Sequence, residues 1–148
     1  MYRHILIPTD GSELAEHAVT NGLSLAKSVG AKVTVIIAEE PFDWLGISET
    51  KAQQALEELA KYTEQIKKHA ASVLNRVAKA AKEAGVSCDT IQVENAQPHQ
   101  AIIATAADRG CDLIVMASHG RRGLSAVILG SVTNKVLTHT KTPVLVCH

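Results

Sequence analysis

The sequence predicts an α/β fold, a doubly wound five-stranded parallel sheet in the order 3-2-1-4-5 with helices on both faces. Short apolar runs of strand length recur along the chain, and residues 112–116 (DLIVM) are the clearest of them. Between these runs, apolar residues repeat every three or four positions, as on one face of a helix. Because the two patterns alternate throughout, the chain is expected to consist of successive βαβ units with right-handed crossovers.

The first βαβ unit is expected between residues 5 and 38. Residues 5–7 (ILI) form a continuous apolar run before Pro8, as in a strand that is buried on both faces. A polar turn follows, and apolar residues then recur at helical spacing from residue 14 as far as Gly30, which suits a left-handed C-terminal cap. Residues 32–38 (KVTVIIA) are β-branched and apolar, so they predict the second strand.

The middle of the chain predicts a loop and then a long helix. Residues 39–49 contain Pro41 and Trp44 without a clear period and are expected to form a loop. Residues 50–84 repeat apolar side chains at helical spacing and end before Gly85, which predicts an amphipathic helix. At 1.5 Å per residue an unbroken helix would be about 50 Å long, so its first turns are expected to bend or protrude.

The last part of the chain repeats the alternation of strands and helices. Residues 86–94 alternate apolar and polar side chains loosely and predict the third strand. Proline suits the first turn of a helix and opens the one expected at 98–106. The fourth strand is expected at 112–116, the last helix at 131–140 and the fifth strand at 143–147 (PVLVC).

Composition indicates one cytoplasmic, soluble domain over residues 1–148. A chain of this length with 46% hydrophobic residues can bury a core of its own. Its 15 basic and 15 acidic residues cancel and its aromatic content is 3%, so binding to nucleic acid or to a membrane is not expected. The cysteines at 88, 111 and 147 form no C-x-x-C pair and the histidines show no paired spacing, so no protein-built metal site is expected.

Polar, turn-forming residues follow the first and fourth strands. In a doubly wound sheet, ligands bind beyond the strand ends at the point where the strand order reverses. Gly120, Gly130 and the helix N-terminus at Ser131 supply backbone N–H groups that suit a phosphate. Arg121 and Arg122 would add positive charge. The alternative is that the glycines are ordinary turn residues and that Ser131 is a plain N-cap.

Four segments resemble, in order, the characteristic blocks of the universal stress protein family. They are residues 2–10 (YRHILIPTD), 112–120 (DLIVMASHG), 130–137 (GSVTNKVL) and 142–146 (TPVLV). The ATP-binding branch of that family is marked by Gly, two residues, Gly, nine residues and then Gly-Ser or Gly-Thr. Gly120, Gly130 and Ser131 match this motif, whereas Ala117 stands where its first glycine is expected.

The resemblance implies a Rossmann-like fold that binds ATP, with Mg²⁺ arriving on the nucleotide. It places Asp10 and the backbone of Ala38 at the adenine and ribose, with Pro8 and Thr9 beside them, and it lays Met116 and Ala117 along the nucleoside. The residues that would hold the phosphates are Gly120, Gly130, Ser131, Val132 and Thr133, and those flanking them are His119, Arg121 and Arg122. Alternatively, Asp10 caps the first helix, His119 is a solvated turn histidine, and the arginines form a solvated surface.

The function implied is that of a regulatory ATP-binding module of the stress response. One alternative is a slow ATPase or phosphotransferase, although the sequence has no Walker A lysine motif, nucleophile elbow or kinase-type set of motifs. The other is a family member that binds no nucleotide and acts through protein partners. A homodimer is expected through the edge of the last strand, which lacks charge and internal proline over Val144, Leu145, Val146 and Cys147.

Overall fold

The structure, a computed structural model, describes residues 1–41, 52–120 and 128–148. Its five strands are β1 (His4–Pro8), β2 (Lys32–Glu39), β3 (Cys88–Glu94), β4 (Leu113–Ala117) and β5 (Val144–Cys147). Its helices are α1 (Glu13–Val29), α2 (Ala52–Ala84), α3 (Pro98–Asp108) and α4 (Ser131–His139). The strands form one parallel sheet in the order β3-β2-β1-β4-β5, which confirms the predicted fold class and order.

The sheet is covered on both faces by apolar side chains. Ile5 and Ile7 of β1 pack into a cluster with residues of α1 and α2, while Leu6 between them packs into a second cluster with α3 and α4. All three side chains are fully buried. A strand covered on both faces appears in the sequence as a continuous apolar run, as residues 5–7 do.

Helix α1 lies close against the sheet and is capped at both ends. Ser12 is its N-cap, and Gly30 ends it at a φ of 72°, as the sequence predicts. At Gly22, in the middle of the helix, a side-chain carbon would meet the side chain of Ile7. The glycine therefore allows α1 to approach β1 closely.

Several element boundaries differ from the prediction, and hydrogen bonds explain two of the differences. β2 includes Glu39, because the carbonyl of Glu39 accepts the Asn95 N–H at 2.9 Å and so continues the ladder to the edge of β3. β3 begins only at Cys88, since the Val86 N–H is donated back to the carbonyl of Ala81 at 2.9 Å and ends α2. Helix α2 is continuous over its 33 residues, and residues 42–51, which cover the remainder of the predicted loop and the first residues of the predicted helix, lie outside the described residues.

The described helices differ from membrane spans in length or polarity. None of those within residues 1–41, 52–120 and 128–148 is both long and apolar enough to cross a bilayer. The first half of α2 instead carries mostly exposed side chains, and Leu56 is 58% exposed.

A buried histidine joins β1 to its surroundings. The Nδ1–H of His4 donates to the carbonyl of Arg109 at 3.1 Å, so Nε2, 2.8 Å from Thr34 Oγ1, accepts from that hydroxyl. Burial, followed by the positive charge of Lys32, lowers the pKa of His4 below its ordinary value of 6.5. The folded state therefore favours the neutral ring.

Acidification is expected to destabilise the fold through His4. Below pH 6.5 the unfolded chain takes up a proton at His4 that the folded chain binds only at lower pH, so the free energy of unfolding falls between about pH 7.5 and about pH 5. His4→Gln keeps a hydrogen-bonding side chain but does not titrate, so its stability should fall less over this range. Urea unfolding of both proteins at the two pH values measures the difference. Equal losses in the two proteins would contradict the prediction.

Candidate functional site

A cleft of about 450 Å³ opens at the carboxyl ends of β1, β2 and β4, where the strand order reverses. Twelve of the fourteen residues predicted for the site line it: Pro8, Thr9, Asp10, Ala38, Met116, Ala117, His119, Gly120, Gly130, Ser131, Val132 and Thr133. The other two, Arg121 and Arg122, lie outside the described residues. The fold thus brings together two segments that are more than 100 residues apart in the sequence.

Asp10 shapes the turn that follows β1. Its Oδ1 accepts the Ser12 N–H at 2.9 Å, which forms an Asx turn. The interpretation of Asp10 as the cap of the first helix is wrong, because the N-cap is Ser12, whose hydroxyl accepts the Ala15 N–H at 3.3 Å. The second carboxylate oxygen, Oδ2, lies against the place that a side-chain carbon at Gly120 would occupy. The turn after β1 and the loop after β4 therefore meet at Gly120, where a side chain would displace the Asp10 carboxylate.

The N-terminus of α4 opens into the same cleft. Asn134 donates the first intrahelical hydrogen bond, to the carbonyl of Gly130 at 2.9 Å, so the N–H groups of residues 131–133 lie outside the helical ladder. The N-cap is Gly130 rather than Ser131, and within the described residues no side chain caps it and the first turn carries no acidic residue. An anion bound in the cleft would therefore meet free backbone donors at the positive end of a helix.

Gly130 lies directly against the loop that follows β4. Its N–H donates to the carbonyl of Ser118 at 2.7 Å. A side-chain carbon at Gly130 would come within 2.9 Å of the His119 Cα and 3.0 Å of the His119 Cβ, closer than such atoms approach in proteins. The His119 ring is half-buried, with Nδ1 3.1 Å from Ser118 Oγ. Gly130 is thus required by the close approach of two backbone segments.

Ala117 occupies the position of the first motif glycine without strain. Within the described residues no amino acid other than glycine has a positive φ, so the backbone at Ala117 suits alanine. Ala117 belongs to the apolar cluster formed with α1, and its carbonyl accepts the hydroxyl of Thr133 at 2.8 Å. The methyl group therefore contributes to the core, and the carbonyl fixes α4 to β4.

Replacing Ala117 by glycine should leave nucleotide affinity almost unchanged. Because the methyl group packs in the core, its removal relieves no crowding in the cleft, and we expect the dissociation constant for ATP to change by less than about twofold. Stability should fall by about 1 kcal/mol, since a buried methyl group is lost and the backbone gains freedom in the unfolded chain. Calorimetric titration and thermal unfolding measure the two effects. A clear loss of affinity would show instead that Ala117 packs on the ligand.

Eight further residues line the cleft and were not assigned to it from the sequence. They are Ile36, Ile37, Glu39, Glu40, Tyr62, Ile66, Pro98 and Ile102. Glu39 and Glu40 follow the buried part of β2 at the same sheet edge as Asp10, and this position is the signal that could have found them. Tyr62 and Ile66 lie one turn apart on α2, but the helical period does not tell which element that face of the helix meets.

Comparison with known proteins identifies the family. The family model described as the universal stress protein family matches residues 1–148. The chain belongs to the universal stress protein family. Universal stress protein MJ0531 of Methanocaldococcus jannaschii is 32% identical to it over 146 residues, which cover 99% of this chain and 82% of the relative. Universal stress protein MJ0577 of the same organism is 31% identical over 159 residues, with coverages of 99% and 94%.

Solved structures of universal stress proteins share the fold. The structure of MJ0577, determined for the assignment of its biochemical function, gives a TM-score of 0.80 at 29% identity and covers 99% of this chain and 96% of its own. Two others contain an adenine nucleotide. A universal stress protein in complex with cAMP gives a TM-score of 0.72 at 24% identity, covering 99% of this chain and 97% of its own. The universal stress protein from Archaeoglobus fulgidus in complex with dAMP gives a TM-score of 0.66 at 18% identity, covering 99% of this chain and 98% of its own. At these two identities the likeness shows the fold alone.

Proposed function

We propose that this universal stress protein domain, residues 1–148, binds ATP in the cleft as a cytoplasmic regulatory module. The observation that carries the proposal is the juxtaposition, in one cleft, of an anion-binding helix N-terminus and a strand end that offers a backbone donor and acceptor. The first suits phosphates and the second suits the edge of a purine. The cleft volume of about 450 Å³ is of the size that small-molecule ligands occupy in proteins.

The strand end that would recognise the base is that of β2. The pairing of β1 with β2 ends at Pro8 and Ile36, and the Thr9 N–H makes a last bond to the carbonyl of Ile36 at 2.9 Å. Polar backbone groups of a strand point alternately to its two neighbours. Ala38, two residues after Ile36, therefore directs its N–H and C=O toward the side where β1 has already ended. Adenine presents an acceptor at N1 beside a donor at N6, which this pair can bind.

The proposed phosphate site lies at the other end of the cleft. The N–H groups of Ser131, Val132 and Thr133 point out of α4, and Gly120 allows the opposite loop to approach. The contribution of Thr133 is its backbone N–H, since its hydroxyl already donates to the carbonyl of Ala117. The apolar side chains of Ile102, Met116 and Val132, which pack in one cluster, also line the cleft and would contact the nucleoside.

Mg²⁺ enters the proposal as a companion of the nucleotide. No group of three or more His, Cys, Asp or Glu side chains in the described part of the chain is arranged to hold a metal ion. The first turn of α4, at the proposed phosphate end, carries no acidic residue. Magnesium commonly keeps several waters and binds through substrate phosphates, so an ion that ATP carries in would be held by phosphate oxygens and water.

The family supports the class of ligand. The cAMP and dAMP complexes belong to other proteins of this fold, and they support an adenine nucleotide as the class of ligand. For this chain we propose that ATP stabilises one conformation or assembly and is not chiefly a substrate.

Analysis of nucleotide released from the purified protein tests this function. We expect denaturation to release ATP or AMP, and protein stripped of nucleotide to take up added ATP at one site per chain. Steady-state phosphate release should stay near the background rate. Phosphate release that scales with protein concentration would instead support the slow ATPase. Stripped, folded protein that takes up no ATP would favour a member that acts through protein partners alone.

A further inference from the structure

Helix α2 contacts the Asp10 turn through a histidine that does not line the cleft. The Nε2 atom of His69 lies 3.2 Å from the backbone carbonyl oxygen of Asp10. A carbonyl can only accept, so the ring nitrogen donates and the Nε2–H form is the one bonded. Three and seven residues earlier on the same helix, Ile66 and Tyr62 line the cleft itself. One helix therefore contributes to the wall of the cleft and also holds the turn behind it.

The packing between α2 and this turn leaves no spare room. Gly11 has a φ of 79°, and a side-chain carbon there would lie 2.6 Å from Val73 Cγ2 and 3.0 Å from His69 Nε2. Val73 is buried and His69 is half-buried. On its far side the same turn carries the Asp10 carboxylate, which abuts Gly120. A shift of α2 toward the turn would therefore displace the turn and, with it, the carboxylate.

A second contact fixes this part of α2 against the neighbouring helix. Arg76, two turns after His69, pairs with Glu16 of α1 at 2.7 Å. Both of these side chains are about half exposed, so the ion pair contributes little to stability. The contact shows that α1 lies beside the part of α2 that follows His69.

We infer that His69 is a positioning residue for the nucleotide site, holding the Asp10 turn in the conformation that receives the adenosine part of the ligand. This inference rests on the proposed function. His69 acts through Asp10, so its loss should weaken every ligand that contains adenosine by the same factor. The phosphates, bound at α4, should be indifferent to it.

Three substitutions separate the hydrogen bond from the packing. His69→Gln retains an N–H donor at about the reach of Nε2, His69→Leu keeps side-chain bulk without a donor, and His69→Ala removes both. We expect the leucine and alanine variants to lose about three- to tenfold in affinity for adenosine and for ATP alike, the usual effect of one hydrogen bond, and the glutamine variant to bind like wild type. Lys68→Ala, at the adjacent exposed position of α2, serves as the control and should bind normally.

Hydrogen exchange supplies a readout that needs no nucleotide. The amide hydrogen of Ser12, which is bonded to Asp10 Oδ1, should exchange faster in His69→Leu than in wild type or His69→Gln. Wild-type affinity in His69→Leu would overturn the inference, as would a loss confined to ATP and absent for adenosine. Failure of wild type to bind either ligand would instead refute the proposed function. The exchange data would then show only whether the His69 hydrogen bond stabilises the Asp10 turn.

Discussion

Replacing Gly130 by valine is expected to abolish ATP binding while the protein stays folded. The branched side chain would start 2.9 Å from the His119 Cα, so the loop after β4 and the N-terminus of α4 must separate. Separation breaks the bond from the Gly130 N–H to the Ser118 carbonyl and turns the N–H groups of residues 131–133 away from the ligand. Loss of two charge-assisted hydrogen bonds costs about 3 kcal/mol or more, which is roughly a hundredfold in affinity.

Two measurements give this prediction its controls. Ser131→Ala keeps every backbone N–H group and should cost only a few-fold, because the proposed phosphate contacts come from the main chain. Adenosine, which has no phosphates, should bind Gly130→Val much as it binds wild type. A folded Gly130→Val protein, judged by circular dichroism and thermal unfolding, that binds ATP with unchanged affinity would remove the phosphate site from α4.

We expect two chains to pair through β5, and Leu145→Lys to leave the protein monomeric. β5 pairs only with β4 and so forms one edge of the sheet. The carbonyls of Pro143 and Cys147 accept from Ile114 and Ser118, so the alternate residues Val144 and Val146 present their N–H and C=O groups at the open edge. An antiparallel pairing of two copies about a two-fold axis would satisfy both edges at once.

The exposed side chains of this edge support the same pairing. Leu145 is 44% exposed, and Leu137 on the neighbouring α4 is 38% exposed. At the opposite edge, by contrast, β3 carries Asp89 and Glu94, charges that discourage strand addition. Two buried lysines at a two-fold interface would face each other, so we expect dimer affinity to fall on the order of a hundredfold or more.

Sedimentation analysis distinguishes the outcomes. Wild type should be a dimer at micromolar concentration, and Leu145→Lys a monomer. Val146→Pro, which removes an outward N–H, should also be monomeric. Thr90→Lys places the same charge on the exposed edge of β3 and should leave the dimer intact. A wild type that sediments as a monomer, or a Thr90→Lys variant that dissociates equally, would exclude β5 as the interface.

The fold was predictable from the sequence because its central strands β1, β2 and β4 are largely buried on both faces. Continuous apolar runs such as residues 112–116 fix the strands, and the handedness of βαβ crossovers restricts their order. The ends of the strands and helices were less predictable, since individual hydrogen bonds determine where each element begins and ends. β3 begins at Cys88 and not at residue 86, because the Val86 N–H bonds to the end of α2. No apolar pattern reveals this bond.

The candidate site was predictable where it follows from strand ends and motif glycines, and less so elsewhere. The sequence identified Asp10 and Gly130 as site residues, but only the structure shows which contacts fix their positions. The sequence cannot tell that a side chain at Gly130 would meet the backbone of His119, or that Ser12 rather than Asp10 caps α1. Tyr62 and His69 were missed, because the period of a helix gives its buried face but not the element that this face contacts.

Calorimetric titration of the nucleotide-free protein with ATP, adenosine and GTP tests the central claim most directly. The account predicts saturable binding of ATP at one site per chain, weaker binding of adenosine because it lacks contacts at α4, and the weakest binding of GTP because its base edge reverses the donor and acceptor that Ala38 would meet. Equal affinities for ATP and adenosine would contradict the phosphate site at the N-terminus of α4. Absence of saturable ATP binding by the folded protein up to about 1 mM, the weak limit of specific recognition, would contradict the account as a whole.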